Sequence, residues 1–597
     1  MMFEYLEQYS NLSSSSPRSD VADILDSIIK APPFSFTQST RNDLIRAILQ
    51  DLSVPGMKSR LALKDAAQAL LAVKTLGKEP SGSDFLSSPA NLSTLLSLAA
   101  TFKDDPEASS EALRCIANAL LLIERARSTF IEKAVSGGQI CLGMLEKANG
   151  PDRIFILSRI LFLCTASRTS YIKSIVEEKH HGRTVVEIIA AKLDSLTVAI
   201  QSGTKMAREA MSDLLKLTFN LLLYYPKLSE SEPQNSDTPN DGENIMGDFW
   251  NPKLDGLLPP LLRVFSSLPP TFPSPLTAPL THVIHSLITI PITPALRPVW
   301  FAVPATQSSR DTLVTTPKAS STSQRTESST PSSRSDSPTR YSPTAPKLST
   351  LDRALSVLAV GRKSLSRSPS PNLSATADIV QRTFDLLEVS FSHYFPGDID
   401  GDDVSVRERC KEESMDSLDD ILSPLIVLVT RLCLADETCR VRVRQWIVPD
   451  DLDRSSALES RPDLLGRCLR LLSSVYHPRL KDSVGEMLFA VSDSNATTLS
   501  ALFGYGNVAG FLFHKGVMSA PAQDPGSSNA SLTTSSGTAI DPITGKTVEL
   551  TPSLSDMTDD EKMHEMEKLF VLFDRLEKSG ALAPANNPVR KAMERAP

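Results

Sequence analysis

The side chains best suited to proton transfer or metal binding are sparse in this chain: 8 histidines and 7 cysteines among 597 residues. His282 and His285 form an HxxH pair that a helix would carry on one face, but the glutamate of a metalloprotease HExxH motif is missing. The acidic run DIDGDD at 398–403 resembles a calcium loop, yet Gly401 stands at the wrong place and no bidentate Glu follows. It is expected to be a solvated acidic loop. The run GYGNVAG at 504–510 has three glycines that suggest a phosphate cradle. It follows a helical pattern rather than a strand, lacks the P-loop Lys-Ser/Thr, and departs from the GxGxxG spacing. A helix end and restart is expected there, with glycine supplying positive φ or close packing. No nucleophile–base pair can be picked out, so the chemistry to look for is that of binding.

Two asparagines mark where binding could occur. EALRCIANALL at 111–121 and SDLLKLTFNLL at 212–222 each place one Asn, Asn118 and Asn220, within an apolar helical pattern. Asn lowers helix propensity and, if buried, needs its amide satisfied. In armadillo-type repeats an Asn so placed faces the groove and hydrogen-bonds the backbone of a bound peptide. A cap or inter-helix hydrogen bond is the equal alternative.

The elements that must position these residues are helices. Hydrophobic residues make up 41% and aromatics only 6%, a balance that favours packed helices over a β-sandwich. At roughly 150 residues per domain the length allows about four domains, or one repeat solenoid that uses it all. The net charge of -8 lacks the basic excess of a dedicated DNA binder. No apolar run approaches the roughly 18 residues of a membrane span, and residues 1–11 are too polar for a signal peptide. The cysteines, at 115, 141, 164, 410, 433, 439 and 468, are odd in number, form no CxxC, and sit mostly in apolar helical patterns. They are expected to be free and packed, as in a reducing compartment.

Helical periodicity fills 1–225, with segments at 60–76, 109–126, 153–165 and 207–224 separated by short breaks containing Gly, Pro, Asn or Ser. This predicts stacked helical hairpins, an all-α solenoid of armadillo/HEAT-like type. An acidic, Pro-containing linker is expected at 226–253 and a further helical repeat segment at 254–303. The insert at 304–372 is more than half Ser, Thr and Pro and is expected to be disordered. Its Ser-Pro sites Ser337, Ser342, Ser368 and Ser370 lie near Arg334, Arg340, Arg362, Lys363 and Arg367, so phosphorylation would reverse the local charge. No aromatic platform accompanies those cations, which favours a spacer over a nucleic-acid patch. C-terminal repeats are expected at 373–516, with helices at 418–434, 464–474 and 481–491, then a flexible linker at 517–556. A closing helix and tail occupy 557–597. In that helix Thr558 and Glu561 read as a capping box, and Met563, Met566, Phe570, Phe573 and Leu576 form one apolar face.

Several of these segments together resemble the synembryn family of guanine nucleotide exchange factors and folding chaperones for heterotrimeric G-protein α subunits. GYGNVAGFLFHKG at 504–516, DPITG at 541–545 and MTDDEKMHEMEKLFVL at 557–572 are the most specific pieces. RILFLCTASRT at 159–169, EALRCIANALL, RVRQWIVP at 442–449 and EMLFAV at 486–491 extend the likeness through the repeats. The resemblance implies an armadillo/HEAT-like superhelix that grips the C-terminal helix of Gα, releases GDP and holds the nucleotide-free state. It implies no cofactor and no covalent step. Asn118 and Asn220 would then bond the extended Gα tail, while Arg114 and Arg168 would pair with its terminal carboxylate. Met563, Met566, Phe570 and Phe573 would clasp the Ras-like domain, unless that helix docks on the solenoid. Cytoplasmic residence with recruitment to the membrane cortex follows from the same likeness. Two departures stand out. SSNASLTTSSGT at 527–538 lacks the acidic residues of the phosphorylated cluster in animal members, and the Ser/Pro insert is long. The competing reading is a non-catalytic armadillo adaptor, which would leave the GYGNVAG block and the closing helix unexplained.

Overall fold

The computed structural model describes residues 4–54, 59–229, 250–301, 378–414, 416–516, 540–541, 543–547 and 558–578. The described helices belong to one unit formed by Met1–Phe301 and Ile379–Pro597. The candidate phosphorylation sites Ser337, Ser342, Ser368 and Ser370 lie outside the described residues, as do most of the linkers at 226–253 and 517–556.

Eight helices stack side by side in an unbroken ridge: α1 (Arg18–Lys30), α2 (Ala66–Leu76), α3 (Pro106–Leu122), α4 (Pro151–Cys164), α5 (Ala207–Ser229), α6 (Leu280–Thr289), α7 (Leu418–Ala435) and α8 (Pro478–Val491). A second layer covers one side of them. It includes Gln38–Ser53, Pro89–Thr101, Gly137–Lys147, Val185–Gln201, Leu258–Ser267, Ile379–Tyr394 and Leu464–Leu471. The expected all-α, armadillo/HEAT-like layering is met. Among the described residues the only β pairings are two isolated bridges, His180 with Arg183 and Ile540 with Thr547. One hydrophobic core runs from Tyr9 to Leu512 without a break between repeats, as expected when each hairpin can bury its apolar side only against its neighbours.

Local chemistry explains where the ridge helices begin. Pro106, Pro151 and Pro478 sit in the first turn of α3, α4 and α8, where a missing N–H costs nothing and a fixed φ helps. The Asp105 carboxylate accepts the Ala108 amide at 3.0 Å and caps α3. Two boundaries differ from the periodic reading. The helix expected over 60–76 starts only at Ala66, because Asp65 turns back to accept the Ala62 amide and Arg18, each at 2.8 Å. That locks a 3-10 turn at Leu63–Asp65 ahead of it. The helix expected over 109–126 breaks at Ile123, whose extended backbone starts a separate helix, Glu124–Ile131.

All seven cysteines are buried and free. Burial pushes the thiols of Cys141, Cys433, Cys439 and Cys468 up to about 12, so they behave as small hydrophobes. The acidic loop at 398–403 proves more than solvated charge. Asp402 accepts from the Ser474 hydroxyl at 2.6 Å and the Val475 amide at 2.7 Å, and Asp403 caps Val404–Glu413. Asp400 also accepts the Asp402 amide at 2.8 Å, so three of its carboxylates are used for turns and caps, which a composition-based reading cannot see.

Candidate functional site

The side of the ridge not covered by the second layer is where α3 to α6 show polar and aromatic side chains. Its base is ionic. Glu111 of α3, buried, lies 2.6 Å from Lys74 of α2 and 2.5 Å from Arg114. Arg114 reaches on to Asp152 at the start of α4, at 2.6 Å. One repeat further, buried Asp213 of α5 accepts from Arg159 of α4 at 2.7 Å and lies 3.2 Å from Lys216. Each buried carboxylate is thus shared by two cations, an arrangement that offsets the cost of removing it from water.

Aromatic rings line the same side. Phe155, Arg159 and Phe162 recur at i, i+4 and i+7 along α4, and the Arg159 guanidinium lies 4.4 Å from the Phe155 ring centroid. Lys216 sits over Phe162 at 5.7 Å. Phe219 of α5 faces His285 of α6, and His285 faces His282, with centroids 6.3 and 6.5 Å apart. Phe162, Lys216, Phe219, His282 and His285, with Asn220 and Leu215, surround a cavity of about 80 Å³. A second, more open hollow is bounded by Arg114, Asp152, Phe155, Lys205 and Met206. Burial and the nearby Lys216 and His285 push His282 down to about 4, and burial lowers His285 as well. Both rings are therefore neutral and able to stack or accept a hydrogen bond at physiological pH.

The four residues singled out from sequence occupy different situations. Asn118, one turn beyond Arg114 on α3, is half-buried and its side chain makes no hydrogen bond among the described residues. Asn220 is buried, and its amide donates to the Phe162 carbonyl at 3.2 Å and the Thr165 hydroxyl at 3.1 Å. The inter-helix alternative therefore describes its nitrogen. Arg114 is engaged by Glu111 and Asp152 as an inter-repeat bridge. Arg168 is exposed and donates to the Lys227 carbonyl at 2.6 Å near the end of α5. Sequence reading missed Phe155, Arg159, Phe162, Lys216 and Phe219. Their signal was the i, i+4, i+7 stripe, which resembles a core stripe until the neighbouring helices are in place.

The GYGNVAG block is the expected helix end and restart. Gly504, at φ +82°, separates Ala496–Phe503 from α9 (Tyr505–His514). The closing helix α10 (Asp559–Lys578) packs on α9. Of its expected apolar face, Met563 is 63% exposed, Met566 59% and Phe570 48%, while Phe573 is half-buried. The side chain of Glu561, half of the expected capping box, lies outside the described residues.

These features define a two-layer α-helical repeat protein with an open, aromatic-lined ridge face and a terminal helix that leaves Met563, Met566 and Phe570 exposed. Residues 69–597 match the model of the family described as guanine nucleotide exchange factor synembryn, and the chain belongs to that family. Among curated proteins it is similar to Chaperone Ric-8A of Danio rerio, 27% identical over 193 residues that cover 31% of this chain and 35% of that protein. It is also similar to Chaperone Ric-8 of Drosophila melanogaster, 26% identical over 184 residues, 29% of this chain and 32% of the other. The aligned stretch therefore spans about a third of the length of each relative. Among solved structures, one from a study of the cadherin and beta-catenin interaction matches at 10% identity and a TM-score of 0.26, over 99% of this chain and 94% of that one. A superposition at that level adds nothing to the fold argument.

Proposed function

We propose that this chain is a guanine nucleotide exchange factor and folding chaperone for heterotrimeric G-protein α subunits, working by binding rather than by covalent catalysis. The observation that carries the reading is the family match over 69–597, which takes in the ridge from α2 onward and the closing helix alike.

In this reading the open face of α3 to α6 receives the C-terminal helix and tail of Gα. Asn118 offers an amide to the tail backbone. Phe155, Phe162, Phe219 and the neutral His282–His285 pair provide apolar walls, and Arg168 provides a guanidinium for the terminal carboxylate. Arg114 and Asn220 mainly shape the floor, since both are committed to neighbouring helices. Met563, Met566, Phe570 and Phe573 of α10 contact the Ras-like domain. Drawing the Gα helix away from its own sheet loosens the guanine pocket, so GDP leaves. The factor acts because it binds the open state more tightly and so raises its population. The same preference suits it to incompletely folded Gα.

No helix among the described residues is long and apolar enough to cross a membrane. Cytoplasmic residence, with recruitment to the cortex where Gα sits, belongs to the same reading. The test is uptake of a GTP analogue by GDP-loaded Gα, followed by tryptophan fluorescence, with and without the purified chain. Acceleration that disappears when the Gα tail is removed supports the reading. No acceleration across several Gα classes, and no complex on nucleotide removal, would leave the peptide-binding adaptor.

A further inference from the structure

Arg454 is 5% exposed, yet among the described residues its guanidinium hydrogen-bonds only main-chain carbonyls, Gly545 O at 2.7 Å and Leu502 O at 3.0 Å. Its own carbonyl accepts the Thr547 amide at 3.2 Å. A buried guanidinium facing no carboxylate is costly, and burial accordingly lowers its pKa, with the neighbouring Arg461 adding to the effect. An apolar side chain would fill the same space more cheaply. What the guanidinium adds is a charge-assisted tie between the backbone at Leu502 and that at Gly545, two stretches far apart in the chain.

The residues it holds, 540–541 and 543–547, are organised by Asp541. The Asp541 carboxylate accepts the Ile543 amide at 3.0 Å and the Thr544 hydroxyl at 2.7 Å, and the Asp541 carbonyl accepts the Gly545 amide at 2.8 Å. The turn then locks onto the glycine block. Gly506 donates its amide to the Ile543 carbonyl at 2.9 Å. A Cβ on Gly504 would lie 2.6 Å from the Thr544 carbonyl carbon, and Gly504 also needs its positive φ. A Cβ on Gly506 would lie 2.5 Å from the Leu572 Cδ1 of α10. The turn, the glycine block and the closing helix therefore meet at one point. Beside it Arg575 of α10 pairs with Glu459 at 2.6 Å.

We propose that Arg454 is a positioning residue for the closing helix: it clamps the turn at 543–547 onto the Gly504–Gly506 backbone and so completes the seat on which Leu572 and Arg575 dock. The role assigned to α10 in Gα exchange rests on the function proposed above; the docking itself does not. Arg454 is itself buried. It acts through the seat, fixing the direction in which Met563, Met566 and Phe570 point.

The test uses the full chain and three variants. Arg454→Leu removes the tie, Gly506→Val fills the seat from the other side with Arg454 intact, and Glu459→Gln weakens the ion pair to Arg575 together with the long 3.5 Å contact to Asn507. Amide hydrogen exchange over 559–578 is read in the free protein, with a thermal melt as a check on folding. Tail-peptide affinity and Gα exchange rate are then measured on the same samples. Arg454→Leu and Gly506→Val are each expected to speed amide exchange in 559–578 by about tenfold, as when one or two buried hydrogen bonds are lost. Glu459→Gln should do so by about threefold or less. In the first two, tail-peptide affinity should stay within about twofold, while Gα exchange falls by about tenfold. Unchanged protection of 559–578 in Arg454→Leu overturns the proposal, and so does a melt that collapses in Arg454→Leu while Gly506→Val leaves the helix protected. Lost protection with undiminished Gα exchange overturns the link to activity. If the unaltered chain accelerates no Gα, the proposed function fails, and the hydrogen-exchange result still decides the positioning role.

Discussion

The Asp213 carboxylate on α5 accepts a hydrogen bond from Arg159 on α4 at 2.7 Å while Lys216, on its own helix, lies 3.2 Å away. The anion is buried and the cations reach the open face, so the pair joins two repeats and places positive charge on that face. Removing the carboxylate should cost more than removing one cation, because Lys216 still balances Asp213 when Arg159 is gone. Asp213→Ala is expected to destabilise the chain by about 3 kcal/mol and Arg159→Met by about 1 kcal/mol. Urea denaturation of the two variants measures the difference, and equal losses would refute the sharing of one anion by two cations.

The two asparagines should separate by phenotype. Asn118→Ala should leave the melting temperature unchanged and weaken Gα-tail peptide binding by about tenfold, the loss of a ligand hydrogen bond. Asn220→Ala removes the amide that bridges Phe162 and Thr165, and is expected to cost about 1–2 kcal/mol of stability. Peptide titration and chemical denaturation on both variants give the comparison. A stability loss at Asn118 with unaltered binding would move it into the frame of the ridge and out of the site.

His282 should make the chain acid-sensitive in a defined window. Its pKa falls from the ordinary 6.5 to about 4 through burial and the nearby Lys216 and His285, with Asp213 opposing. Between those values the unfolded chain holds a proton that the folded chain does not. Stability is therefore full above about pH 6.5 and declines as pH drops toward 4. His282→Gln should remove roughly 2 kcal/mol of that decline, allowing for the part of the ring that meets water. Urea midpoints at pH 7 and pH 4.5 test it; identical declines in both chains would show that another group sets the acid limit.

Deleting 556–597 should leave a folded protein that still binds the Gα tail but exchanges nucleotide poorly. Replacing Met563, Met566 and Phe570 together by Ala should mimic the deletion without disturbing the melt, because these side chains are exposed rather than packed. A drop in exchange of about tenfold or more is expected, in line with the loss of clustered apolar contact residues. Undiminished exchange in both would remove α10 from the mechanism.

Much of the architecture could be read directly from the residues. Leucine and alanine at helical spacing, with proline in the first turn of α3, α4 and α8, announce the ridge before any coordinates. The break at Ile123 could not be read, since neither Gly nor Pro marks it and the apolar spacing continues through it. Asn118 and Asn220 looked alike because both lie on a 3.6-residue stripe. Whether an amide meets solvent or a neighbouring carbonyl depends on the next helix, which periodicity within one helix does not encode. Phe155, Phe162 and Phe219 were hidden for the same reason. The glycines of GYGNVAG were legible as a helix restart, but their dense packing against Ile543, Thr544, Gly545 and Leu572 depends on segments far along the chain.

The seven buried thiols give the molecule a built-in clock. They fall into two groups, Cys115, Cys141 and Cys164 in and beside α3 and α4, and Cys410, Cys433, Cys439 and Cys468 in and around α7, with none in α1, α2, α5, α6 or α8. In the native state they are protonated and shielded, and a thiol reagent has nothing to attack. Each becomes reactive only when its own layer opens. The order in which a slow alkylating reagent marks the two groups would therefore record whether the α3–α4 repeats or the repeats around α7 open first, without a single introduced label.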